Sequence, residues 1–132
     1  MAYLRFVCGA RVEGMAARAG LLAAAYDLRR SESVDSATEQ ALTTLIDWFK
    51  ANLTVPKRFG RTNSEGWYRR DTKGLSWFKP EAGDHIAKAF ELVVVLNGAG
   101  VKVEVLKSDR IGYVVYEDDH QIIAEPFADT PV

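Results

Sequence analysis

Seven basic side chains, Lys57, Arg58, Arg61, Arg69, Arg70, Lys73 and Lys79, crowd between positions 57 and 79 and alternate with Phe59, Trp67, Tyr68, Trp77 and Phe78. Only Glu65 and Asp71 oppose them, so the segment carries +5 while the whole chain carries −1, which leaves −6 on the remainder. Cations hold phosphate oxygens and flat rings stack on bases, so this pattern matches what a polyanion with stackable groups requires. Arg58, Arg61, Arg69, Arg70 and Lys73 are the expected phosphate contacts, with Trp67 and Tyr68 as stacking platforms. A plainer reading stands beside it. The segment then lies against the acidic remainder of its own chain or of a second copy, Trp77 or Phe78 anchors the core, and the arginine stems cover apolar surface.

A weaker constellation is the pair of histidines. His85 directly follows the basic segment at the start of a predicted helix, beside Asp84, and His120 closes the acidic run Glu117, Asp118, Asp119. Together with Arg69, Arg70, Tyr68 or Tyr113 they would make a metal-independent phosphodiester-cleaving site, cations stabilising developing charge and imidazoles moving protons. Linear spacing does not bring them together, and the ordinary alternative is one helix residue and one strand-flanking residue. Glu117 to His120 also offers hard ligands, but the run falls at a hairpin corner where Asp bonds its own backbone. No metal and no cofactor is expected, because phosphate loops, dinucleotide fingerprints, paired-cysteine zinc motifs and HExxH are all missing from the sequence.

The elements that must carry these residues follow from periodicity. The chain has 132 residues, 48% hydrophobic and 27% charged, which fits one folded domain over residues 1–132. Residues 2–8 alternate as a strand, and Met15 to Leu28 carries an alanine-rich helical stripe. A second helix is predicted over Ser36 to Leu53, with Ser36 and Glu39 as a capping box and Pro56 beyond its end. Within the basic segment, Trp67 to Arg70 and Leu75 to Phe78 read as a small hairpin. A third helix follows Pro80, runs to about Asn97 with Ala82, Ile86, Ala89, Phe90, Val93 and Leu96 inward, and stops at Gly98 or Gly100. Strands at 101–107, 111–117 and 121–125 complete an antiparallel meander, and 128–132 form a loosely ordered tail. The expected class is α+β, in the order β-α-α-(irregular basic segment)-α-β-β-β, with helices on one face of a four-stranded, mainly antiparallel sheet.

Arg5 and Arg11 interrupt the apolar N-terminal run, so a signal peptide is not expected, and no run reaches bilayer-spanning length. The lone cysteine, Cys8, fits a reducing, cytoplasmic setting. The stretches FKANLTVPKRFGR, SEGWYRRDTKGLSWFK and GYVVYEDDHQIIAEPF resemble a group of small, uncharacterised bacterial proteins. That resemblance implies a bacterial cytoplasmic setting and carries no activity, cofactor or site residue. Three functions follow in order: a nucleic-acid or phosphate-ligand binding module on segment 57–79, a protein-interaction or regulatory module of immunity or antitoxin type, and a small nuclease around His85 and His120. No membrane partner is expected, and a homodimer is compatible with each.

Overall fold

Alternation at the N-terminus produces a strand, β1 (Tyr3–Arg11), that becomes the hub of the sheet rather than an edge. In the computed structural model, which describes residues 2–11, 18–31, 33–53 and 74–130, β1 pairs along one side with β4 (Val103–Ser108). Its other side is shared. β3 (Leu75–Phe78) pairs there at Leu4, and β2 (Arg18–Gly20) pairs from Val7 onward. β6 (Gln121–Glu125) joins β3, and β5 (Tyr113–Glu117) joins β6, so all of these pairings are antiparallel.

The class is therefore α+β as expected, with six strands among the described residues instead of four. Both additional strands are short pieces: β2 pairs with the preceding strand, Arg11 opposite Arg18, whereas β3 pairs with strands distant in sequence. Residues 18–20 fall inside the predicted first helix, and only pairing with β1 makes them extended; α1 starts after them at Leu21 and runs to Arg30. Leu75–Phe78, expected in a local hairpin, instead lies between β1 and β6. The hairpin's other half, Trp67 to Arg70, lies outside the described residues.

Among the described residues, three helices pack on one face. α2 (Ser36–Asn52) begins one residue earlier than a Ser36 cap would allow, because Asp35 is the N-cap and accepts from Thr38 N at 2.7 Å. α3 (Gly83–Gly98) ends in a six-to-one bond, Val101 N to Leu96 O at 2.9 Å, and a bond from Gly100 N to Asn97 O at 3.0 Å. That arrangement places Gly100 at φ 88°, a conformation glycine adopts without steric cost. Because the later half of α3, ELVVVL, is apolar nearly all round, its sequence does not name its inner stripe. The buried residues are His85, Ala89, Leu92 and Leu96, while Phe90 is among the exposed large apolar residues. Leu21, Ala25, Leu42, Leu45, Ile46 and Phe49 meet them over Phe6 of β1.

The opposite face buries Val7, Trp77, Leu106, Ile111, Ile122 and Ala124. Among the described residues, Ile111 of the β4–β5 connection adds to that cluster. Residues 109–112 and the stretch after β6 are tied together by Thr130 Oγ1 donating to Arg110 O at 3.1 Å and by Arg110 over the Phe127 ring at 4.3 Å. Where the two meet, Gly112 at φ 128° sits so close to Glu125 that an added Cβ would be 1.9 Å from its carbonyl oxygen. Thr130, in the predicted tail, is buried, and its hydroxyl accepts from Phe127 N at 3.0 Å.

Candidate functional site

The two histidines, far apart in sequence, meet. Their rings stack with centroids 4.1 Å apart and planes within 20°, at the corner where α2 ends, α3 begins and the β5–β6 turn passes. His85 is the inner ring. Its Nε2 lies 2.8 Å from Asn52 O, and a carbonyl oxygen only accepts, so Nε2 carries the proton. The bond satisfies one of the carbonyls that the end of α2 leaves without a helical partner. Trp48, off the apolar stripe of α2, packs edge-on against the same imidazole at 4.9 Å. His85 is thus held by three elements and is 5% exposed. It is a structural ring that backs His120.

His120 is the outer, half-buried ring, and its backbone is fixed at both ends. Its N–H donates to Asp118 Oδ1 at 2.9 Å and its carbonyl accepts from Lys79 N at 3.0 Å. Asp118 organises the turn: Oδ1 also accepts from Gln121 N at 3.0 Å, while Oδ2 accepts from Tyr116 Oη at 3.0 Å and from Gln121 Nε2 at 3.2 Å. Burial pushes the Asp118 carboxyl up, but the hydrogen bonds from His120, Gln121 and Tyr116 together outweigh it and hold the group below its ordinary value. The network continues through Gln121 Oε1, which accepts from Ser76 Oγ of β3 at 2.8 Å.

Beside this turn lies a polar cleft of about 320 Å³ lined by Lys50, Ala51, Asn52, Leu53, Asp118, Asp119 and His120. Leu53 is also the last described residue before 54–73, so the cleft sits at the root of the cationic stretch. Lys79, the basic residue at the far end of segment 57–79, is already engaged: Nζ forms an ion pair with Glu117 Oε2, and that bond raises the ammonium's pKa. Trp77 and Phe78 both serve the core, Trp77 on the far face and Phe78 against Phe6 and Phe49.

The proposed phosphate and stacking contacts, Arg58, Arg61, Trp67, Tyr68, Arg69, Arg70 and Lys73, lie outside the described residues. Asp84 is exposed on the first turn of α3. Tyr113 is not drawn to the histidines; it packs edge-on against Phe127 at 4.7 Å. Lys50 and Asn52 escaped the sequence reading. A lysine in the last turn of a helix that runs straight into a cationic stretch was the available signal for the first. Nothing local marks which carbonyl His85 meets. Among the described residues, no group of three or more His, Cys, Asp or Glu side chains is arranged to hold a metal ion, and no helix is long and apolar enough to cross a membrane. Comparison of the chain with protein-family models, curated proteins and solved structures finds no match.

Proposed function

We propose that this chain is a small binding module for nucleic acid, single-stranded in preference, in which the cleft beside His120 works with the cationic and aromatic segment 57–73. The observation that carries the reading is the His85–His120 stack. It holds a half-buried flat ring beside Lys50 in a polar cleft, at the point where the chain enters that segment. An unpaired base has two π-faces and a phosphate on each side, so a fixed ring next to a lysine complements one nucleotide while the arginines of the segment serve its neighbours. The carboxylates of Asp118 and Asp119 line the same cleft. Asp118 spends its oxygens on the turn, and Asp119 favours an orientation that keeps phosphates on the Lys50 side. Cys8, free and buried with its thiol pKa pushed up by burial, fits a reducing cytoplasmic setting.

The test is a fluorescence titration with single- and double-stranded RNA and DNA at low salt. Binding that is lost in the Arg69→Ala, Arg70→Ala double variant supports the reading, and no binding to any of the four overturns it. Binding of a protein partner without salt sensitivity would favour the interaction module instead. The convergence of two imidazoles also favours a second reading, metal-independent phosphodiester cleavage. His120 would then be the proton-transferring group and His85, whose Nε2–H is engaged with Asn52, a positioning residue. Turnover of an RNA substrate that survives His120→Ala in a folded protein rules this out.

A further inference from the structure

The polar groups around the His120 cleft divide into those the fold uses and those it leaves over. Asp118 is used, since its two oxygens take the donors of Tyr116, His120 and Gln121. At Asn52 the backbone carbonyl accepts from the His85 ring and the side-chain Nδ2 donates to Trp48 O at 2.8 Å, which leaves Oδ1, an acceptor. Lys50 stands 5.7 Å from the centre of the Tyr26 ring and pairs with no carboxylate among the described residues. Asp119 is exposed and makes no hydrogen bond or ion pair with the described residues. Both Asn52 and Asp119 line the cleft.

What a carboxylate and an amide oxygen can read on a base is its donors. Guanine puts two adjacent donors, N1–H and N2–H2, on its Watson–Crick edge, and together they fit the two oxygens of one carboxylate. Adenine and cytosine set one amino donor beside a ring nitrogen acceptor, and uracil flanks one N–H with two carbonyl oxygens. Each of these three would turn a lone pair toward the carboxylate and leave it half satisfied.

We infer that this cleft selects guanine among unpaired bases and that Asp119 is its specificity-determining residue. The inference rests on the nucleic-acid reading and adds to it a choice of base. Asp119 immediately precedes His120 in the turn between β5 and β6, so the carboxylate is carried beside the ring on which a base stacks. The guanine lies on the face of His120 that His85 does not cover, and its N1–H and N2–H2 donate to Asp119. The second hydrogen of the amino group is left for Asn52 Oδ1, and the phosphates stay on the Lys50 side.

Fluorescence anisotropy of the full chain with labelled single-stranded RNAs tests this. Each strand is an oligouridine whose central residue is guanosine, inosine, adenosine, cytidine or uridine, and a single guanosine per strand avoids association between guanines. The guanosine strand is expected to bind about tenfold more tightly than the adenosine, cytidine and uridine strands, the discrimination that one bidentate contact gives. Inosine, which keeps N1–H and lacks the amino group, falls between. Asp119 spends no bond on the fold, so Asp119→Asn folds, and its amide offers one oxygen and an opposing donor. In that variant the guanosine and adenosine strands should bind within about twofold of each other. Equal affinity for every strand, tighter binding of another base, inosine bound as tightly as guanosine, or a native guanosine preference in Asp119→Asn would each overturn the inference and leave the nucleic-acid reading standing. Binding to none of the strands would overturn that reading, and this inference with it.

Discussion

The face of the sheet around Trp77 and the corner around His120 solve opposite problems. The first is an apolar layer to which Ile111 of the returning chain adds. At its centre Trp77 is fully buried, and its Nε1 has no hydrogen-bond partner among the described residues. The second is a wet turn in which one carboxylate serves four donor groups to fix one imidazole against another. The Trp77 face tolerates an orphaned donor because burial of the large ring outweighs it. The corner keeps its polar groups satisfied because their positions, rather than their burial, are what it supplies. Substitutions on the Trp77 face should therefore unfold the protein. Those at the outer ring of the corner should remove binding and leave the fold standing.

The largest effect is expected at the seam of the Trp77 face. Gly112→Ala forces a Cβ into the Glu125 carbonyl at a φ that L residues rarely adopt, and should cost more than about 3 kcal/mol in chemical denaturation or prevent folding. Trp77→Ala should cost about 3–5 kcal/mol. Trp77→Phe should recover most of that, because the ring is kept and the orphaned donor removed. A Trp77→Phe variant as unstable as Trp77→Ala would show that Nε1 is satisfied in solution, which would blunt the contrast.

Within the corner the inner and outer rings should separate. His85→Ala removes a buried ring and its bond to Asn52 and is expected to cost about 2–3 kcal/mol. His120→Ala should cost under about 1 kcal/mol yet weaken single-stranded RNA binding about tenfold, the value of one stacked base.

Asp118→Asn places an amide nitrogen against donors that a carboxylate accepts, and should cost about 1–3 kcal/mol near neutral pH. The pH dependence has a definite sign. A carboxyl depressed in the folded state contributes stability that is present above the unfolded value of about 3.9 and is lost as pH falls through the lower folded value. The acid limb of the native stability curve should accordingly be steeper than that of Asp118→Asn.

What was legible in the sequence tracks how local each cause is. α2, α3 and the last three strands announce themselves through periodicity, Pro56, the Gly100 stop and corner aspartates, but the expected three-strand meander does not form, because β4 pairs with β1 while β5 pairs with β6. Placement of the cap at Asp35 rather than Ser36 was a choice between adjacent good cappers that only the Thr38 N bond decides. β2 was not legible, since 18–20 become extended by pairing with β1, and for 75–78 the extended piece was legible but its partners β1 and β6 were not. The site divides in the same way. His85 and His120 were visible as chemistry-bearing residues, but their stack depends on how α3 docks beside the β5–β6 turn, and no spacing along the chain encodes that.

The central claim is that the His120 cleft and the cationic segment act together on a phosphate-bearing strand, and its most direct test is fluorescence anisotropy of a labelled single-stranded RNA across a salt series. The account predicts that log K falls linearly with log salt concentration, and that Lys50→Gln weakens binding and reduces the slope by about 0.7, one phosphate contact on a single strand. Binding that ignores salt, no binding at low salt, or a Lys50→Gln slope identical to that of the native chain would contradict it.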